Sequence, residues 1–203
     1  MTSRALRFLP VNAWWLLVPL SYLVGSFPTA HLIGRFTGID PTAKGSGNPG
    51  ASNTYRVAGK RAGVAVLMGD VLKGFVPAAA GFFADGRALG LACGIAAMLG
   101  HILPATRRFR GGKGVATLGG ACWFLYPLVA LGLMAVWGLT LRVSRTAALG
   151  SLLMALLLPV GVGLRGRPRW EVAATAGAAA VIVVRHRTNI VRMVRREEPA
   201  LRS

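Results

Sequence analysis

The stretch AGVAVLMGDVLKGFVPAAAGFFA, residues 62–84, decides the fold. It is apolar around its whole circumference if helical, and it exceeds the roughly 20 residues that a helix needs to cross the hydrocarbon of a bilayer. Asp70 and Lys73 stand inside it at i and i+3, on one helical face, where they can pair. Charged side chains at that depth face a bundle interior or a water-filled cavity. The two therefore either form a structural ion pair or border a polar site. Asp70, deep and next to Lys73, reads as structural rather than as a base.

Similar apolar runs flank this one on both sides. Membrane spans are expected near 14–36, 62–84, 88–103, 115–125, 128–141, 147–164 and 170–184. The fold class is thus all-α: a polytopic integral membrane protein with about seven transmembrane helices, forming one domain over 1–203. Composition agrees, with 54% hydrophobic residues and a mean hydropathy of +0.55 in a chain of net charge +18. Soluble domains are about 45–50% apolar. The basic residues sit between the apolar runs, so they read as loops and not as a nucleic-acid-binding face. Arg4 and Arg7 ahead of an apolar run suggest a signal peptide, but the run contains Pro19 and continues past Phe27 without an A-x-A site. Cys93 and Cys122 lie inside apolar runs without a CxxC or a His nearby, and read as small buried hydrophobes.

Lys and Arg placement orients the spans. With the N-terminus outside and the C-terminus cytoplasmic, 17 of the 24 Lys and Arg residues fall inside and six outside. Arg165, Arg167 and Arg169 run against the rule. This topology sends the 45–56 loop, the 107–114 loop, the start of the sixth span and the 185–198 tail to one side of the membrane, where they can converge.

Those segments share a chemistry. Residues 45–56, GSGNPGASNTYR, hold three glycines, two serines, two asparagines, an arginine and no carboxylate. Glycines let successive N–H groups converge on an anion, Ser and Asn add neutral donors, and Arg56 adds a fork that suits phosphate oxygens. Gly111-Gly112-Lys113-Gly114 lacks the spacing of an ATPase phosphate loop, yet glycine N–H groups and a lysine at a helix start make an anion site. In RHRTNIVR, residues 185–192, His186 and Asn189 share one face of a helix continuing from the seventh span, flanked by Arg185 and Arg192. Such an end can bind a phosphate or orient a hydroxyl. The residues five places after His31, His101 and His186 are Phe36, Thr106 and Val191, so the His–Asp base of membrane acyltransferases that use HxxxxD is absent. The polar loops and the Asp70/Lys73 pair would equally serve a transporter or channel for an organic phosphate, although no internal repeat is evident. A lipid-binding protein without chemistry is a third reading, in which the cations act diffusely.

GSGNPGASNTYR, GKRAGVAVLMGDVLKG, GHILP followed by FRGGKGVAT, and RHRTNIVRM occur in this order along nearly the whole chain. Together they resemble the acyl-phosphate:glycerol-3-phosphate acyltransferase family. The resemblance implies a multi-pass enzyme of the bacterial cytoplasmic (inner) membrane, with its active site on the cytoplasmic side and no metal or cofactor. It implies acyl phosphate and glycerol 3-phosphate as substrates, membrane lipid as surroundings, and neither nucleic acid nor an obligate protein partner. The reaction implied is acylation of the sn-1 hydroxyl, giving lysophosphatidic acid and inorganic phosphate.

Carried onto this chain, the resemblance implies catalytic roles for Ser46, Lys113, Ser151, His186 and Asn189. Phosphate binding falls to Gly47, Asn48, Asn53, Arg56, Gly111, Gly112 and Lys113. Ser52 stands where threonine is common, and Arg110 where lysine is usual. Ala148 replaces a frequent first serine before Ser151, and Arg196 replaces a glycine of the tail. The chemistry is consistent: an acyl phosphate carries its own good leaving group, so holding two anions together supplies much of the acceleration. Either His186 or a substrate phosphate oxygen serves as the base.

Overall fold

The computed structural model describes residues 11–201; Arg4, Arg7 and Arg202, which enter the orientation reading, lie outside the described residues. A 3-10 turn Val11–Leu16 leads into α1 (Leu17–Gly25) and α2 (Thr29–Thr37). After a loop come α3 (Ala51–Ile102), a 3-10 turn Ala105–Arg107, α4 (Val115–Leu125), α5 (Pro127–Ser144), α6 (Ala147–Leu164), α7 (Arg169–Arg185) and α8 (Arg187–Val194). The described chain is all helical. Among the described residues, four stretches are long and apolar enough to cross a membrane: Ala13–Thr37, Ala51–Arg107, Pro127–Ser144 and Ala147–Leu164. Val115–Leu125 is a shorter apolar helix.

α3 is three helices in one run. Gly59 (φ 87°) and the pair Asp85 (φ −149°) and Gly86 (φ 75°) leave helical geometry, which divides it into 51–58, 60–84 and 87–102. The last two correspond to the expected spans at 62–84 and 88–103, joined by a sharp reversal at Gly86. A positive φ there suits a residue without a Cβ.

The expected single span at 14–36 differs in the structure, where it breaks between α1 and α2 at residues 26–28. Pro28 lacks an N–H and disfavours helical geometry at Phe27, so the ladder stops there. The freed Phe27 carbonyl accepts a hydrogen bond from Lys73 Nζ at 3.1 Å. Lys73 also pairs with Asp70 Oδ1 at 2.8 Å, and His101 Nδ1 lies 3.6 Å from that same oxygen. All three side chains are buried. The two readings of Asp70 and Lys73 thus both hold in part: they pair, and Asp70 and His101 also border the large cavity described below.

Small residues bring the helices close. A Cβ on Gly74 would overlap the Thr117 carbonyl, and one on Gly120 would overlap that of Val71, so 60–84 and α4 touch backbone to backbone. Gly25 and Gly100 do the same between α1 and 87–102. Lipid offers no hydrophobic drive between helices, so such close packing supplies the attraction. Met98, Ile102, Leu118, Leu125, Leu158, Val162 and Ile182 form part of the core between α3 and α7. Leu20, Leu23, Leu128, Leu131, Leu139 and Val160 face outward and are more than half exposed, an apolar exterior suited to lipid. Cys93 and Cys122 are free and buried, as expected.

At the far end from the glycine loops, Arg87 donates to both oxygens of Glu171 (2.9 and 2.8 Å), and the Tyr126 hydroxyl donates to Glu171 Oε2 at 2.6 Å. The guanidinium lies 5.0 Å from the Tyr126 ring centre. This clamp ties α3, the α4–α5 junction and α7 together.

Candidate active site

The 38–50 loop is shaped from within. Gly45 and Gly47 take positive φ (62° and 68°), and Asn53 braces the turn. Its Oδ1 accepts the Ser46 N–H at 2.9 Å, while Nδ2 donates to the carbonyls of Pro41 (2.7 Å) and Lys44 (3.1 Å). Asn53 was expected to bind phosphate; instead its side-chain contacts are spent on the loop, because it is almost wholly buried (1% exposed) beneath it. Ser46 and Asn48 line the cavity above, and Arg56 projects into it from the 51–58 helix.

The 103–114 loop closes back on the end of α3. Gly111 N–H donates to Ile102 O (3.2 Å) and Gly112 N–H to His101 O (3.1 Å). These donors were expected to face an anion. They cap orphan carbonyls of the helix end instead, a need that every helix C-terminus carries. N–H groups free to meet an anion therefore begin at the start of α4, where Lys113 and Gly114 just ahead of it and Val115 and Ala116 in its first turn line the cavity. Four N–H groups at a helix start have no intrahelical partner, and the helix dipole favours negative charge there.

The helix expected to continue from the seventh span through Asn189 breaks at His186 (φ −93°, ψ 5°), and α8 starts at the next residue. His186 Nδ1 lies 2.8 Å from Ile182 O. A carbonyl only accepts, so Nδ1 carries the proton and Nε2 of the neutral ring is left as an acceptor. Asn189 Oδ1 accepts from Lys113 Nζ, and its Nδ2 donates to Glu198 Oε1 at 2.6 Å. Arg192 Nε bonds Glu198 Oε2 at 2.9 Å, and Arg185 Nη2 donates to Gly111 O and Gly112 O. Both flanking arginines are thus engaged by protein groups. Ser151, on the first turns of α6, returns its hydroxyl hydrogen to Ala147 O at 2.9 Å and lines the same cavity.

Charge balance in the pocket is set mainly by burial. Loss of water pulls the Lys113 ammonium down to about 8. Glu198 opposes that shift, while Arg192, Arg56 and Arg185 add to it. Burial likewise holds the His186 imidazolium down to about 4, against the helping carbonyl of Ile182 and with the repulsion of Lys113. At neutral pH the site therefore presents a charged lysine beside a neutral imidazole.

The cavity measures ≈ 1010 Å³. Ser46, Asn48, Arg56, Lys113, His186 and Asn189 lie at its polar mouth, and Leu67, Leu118, Leu133, Trp137, Met154 and Leu158 line its apolar depth. A second, open cavity of ≈ 830 Å³ adjoins it and shares Ser46, Asn48 and Lys113. Gly47 and Gly111 line this second one. Gly112 lies behind both, its Cα against the His101 ring. Glu198, which follows the basic tail, also lines the cavity, although it was not among the expected site residues. It enters because the tail folds back, with Leu201 N–H bonded to Arg145 O at 2.8 Å.

A family profile described as glycerol-3-phosphate acyltransferase matches residues 15–196. The glycerol-3-phosphate acyltransferase of Thioalkalivibrio sulfidiphilus is 44% identical over 188 residues, covering 89% of this chain and 90% of that protein. The enzyme of the same description from Geobacter sulfurreducens is 40% identical, covering 88% and 92%. Among solved structures, the glycerol 3-phosphate form of PlsY (YgiH), an integral membrane glycerol 3-phosphate acyltransferase, superposes with a TM-score of 0.89 at 34% identity, over 93% of this chain and 95% of that one. Its lysophosphatidic acid form gives 0.86 at 35% identity over the same shares. This chain belongs to the glycerol-3-phosphate acyltransferase family.

Proposed function

We propose that the chain crosses the bacterial cytoplasmic membrane about seven times as one domain, with its N-terminus outside and its C-terminus and active site inside. There it transfers a fatty acyl group from acyl phosphate to the sn-1 hydroxyl of glycerol 3-phosphate, the first step of membrane phospholipid synthesis. The observation that carries this reading is a cavity with a cationic mouth and an apolar depth. On α6 the lining runs from Ala147 to Leu158, roughly 16 Å of helix rise, which suits a fatty chain hung from a phosphate. The relatives' forms with glycerol 3-phosphate and lysophosphatidic acid support the acceptor and the product.

In this reading the acyl chain lies between α4, α5 and α6, and its phosphate meets Lys113 and the first turn of α4. Arg56 holds the glycerol phosphate with Ser46 and Asn48, and Ser151 lines the path of the acyl carbonyl. Asn189 releases Lys113 to the incoming phosphate. The hydroxyl oxygen forms the ester bond to the acyl carbon. The bond from that carbon to the phosphate oxygen breaks, and its electron pair leaves with the phosphate. His186 Nε2 accepts the hydroxyl hydrogen bond and aims the oxygen. A ring held near 4 is a weak proton sink, so the proton ends on the departing phosphate. Lys113 and the helix dipole stabilise the charge that builds there.

The test is turnover by purified protein in a lipidic environment, supplied with palmitoyl phosphate and glycerol 3-phosphate. Lysophosphatidic acid and phosphate are expected in equal amounts, with loss in a folded Lys113→Ala variant. Turnover with acyl-CoA and none with acyl phosphate overturns the donor assignment.

A further inference from the structure

The Gly111–Gly112 turn is held from two sides. Its N–H groups are taken by Ile102 O and His101 O. Its two carbonyls are taken by one group, Arg185 Nη2, at 3.1 Å from Gly111 O and 3.3 Å from Gly112 O. Two adjacent glycines have no side chains to fix their peptide planes, and glycine moves readily between backbone regions. External partners therefore decide which way these peptides face.

Across a trans peptide plane the C=O and the next N–H point in opposite directions. Holding Gly112 O toward Arg185 turns the Lys113 N–H the other way, and Lys113 itself lines the large cavity. Arg185 closes α7 and is followed directly by His186. One helix end therefore carries both the brace for the loop and the imidazole of the site. The Arg185 Nε is buried with no hydrogen-bond partner among the described residues. Such a group is costly, and native proteins retain one where its neighbourhood needs it.

We propose that Arg185 is a positioning residue: by clamping both glycine carbonyls it fixes the peptide planes that lead into Lys113, and so aims the ammonium and the first N–H groups of α4 at one point. The proposal rests on the acyl-transfer reading only for the identity of the phosphate found there. Lysine at this place keeps the charge but replaces a planar guanidinium with a compact, strongly hydrated ammonium.

The test joins two measurements on Arg185→Gln, Arg185→Lys and Arg187→Gln in lipid nanodiscs. The first is amide hydrogen exchange over residues 108–118, which needs no turnover. The second is steady-state kinetics with palmitoyl phosphate and glycerol 3-phosphate. Both Arg185 variants are expected to exchange faster in this segment alone. Their kcat is expected to fall about 10- to 100-fold with KM within about threefold, since small misplacement of a reacting group costs about that much. Arg187, exposed two residues on, is expected to behave as wild type when changed.

Unchanged exchange in folded Arg185→Gln overturns the proposal. So does full rescue by lysine, or a loss seen only as a salt-sensitive rise in KM, because either means attraction by charge alone. Faster exchange throughout the protein makes Arg185 a general support of the fold and also overturns it. If wild type fails to turn over acyl phosphate, the acyl-transfer reading falls, and the exchange measurement still decides the clamp.

Discussion

Lys113 and Asn189, 76 residues apart in the chain, meet at the mouth of the cavity, where the ammonium donates to the amide oxygen. Asn189 in turn donates to Glu198, so a carboxamide separates the cation from the nearest anion. Lysine held this way is ready to exchange a neutral acceptor for a phosphate oxygen. Lys113→Ala is expected to lower kcat about 100- to 1,000-fold, the usual loss when a donor to developing charge is removed. Asn189→Asp is expected to be more harmful than Asn189→Ala, because a carboxylate would hold the ammonium more tightly than an amide does. Steady-state kinetics on the three variants checks both statements.

The pH dependence follows from the same lysine. Its charged form is needed, and burial lets that form go at about 8. The charge is present below that pH and lost as pH rises through it, so kcat/KM should fall above about pH 8. Bound phosphate favours the ammonium, so the limb in kcat should lie higher. Lys113→Arg should abolish the alkaline limb even at reduced activity, because a guanidinium stays charged. A limb that persists in this variant would assign the titration elsewhere.

His186 is expected to contribute no acid limb near the ordinary histidine value of about 6.5. Its ring is held down to about 4 and stays neutral across the working range. His186→Gln should therefore lower kcat while keeping the shape of the pH profile above pH 5. Loss of a limb between pH 5 and 8 would restore the ring as general base.

The Arg87–Glu171 clamp should matter for stability rather than turnover. Glu171 is almost fully buried (1% exposed) and carries two partners, so Glu171→Ala strands a guanidinium and a phenol. Losing the buried carboxylate is destabilising, moderated because Arg87 is partly exposed and keeps the Leu125 carbonyl and the Tyr126 ring. Thermal unfolding in detergent should show a clear drop in Tm with kcat per folded molecule retained. Gly74→Ala should also lower Tm, through forced separation of α3 from α4.

Helices α4 and α6 coincide with the apolar segments 115–125 and 147–164: basic loops flank α6, while α4 begins after the glycine–lysine loop and ends at the Tyr126–Pro127 break. α5 runs past its expected end at 141 to Ser144, because a helix can continue beyond the hydrocarbon through Arg142 without cost to its ladder. The break at Phe27–Pro28 had its signal in Pro28, but the expected span runs through it as one segment, and the Lys73 contact that holds the break is remote in sequence. The loops that meet at the site were legible as basic, acid-poor segments on one side. Which donors face the ligand was not. Gly111 and Gly112 N–H groups and Asn53 answer local needs for hydrogen bonds, and only the folded backbone reveals those needs. Glu198 escaped for a similar reason, since a tail residue gains its neighbours only when the tail doubles back.

The i, i+3 placement of Asp70 and Lys73 bears on how the nascent chain enters the bilayer. An isolated lysine at that depth would burden partitioning of the segment. With Asp70 one turn away the two charges neutralise each other as soon as the helix forms. The remaining contact of Lys73 is the Phe27 carbonyl, which the ribosome has already delivered. Both partners of the ammonium thus precede it in the chain, and biogenesis of this hairpin can proceed in order without waiting for the C-terminal helices.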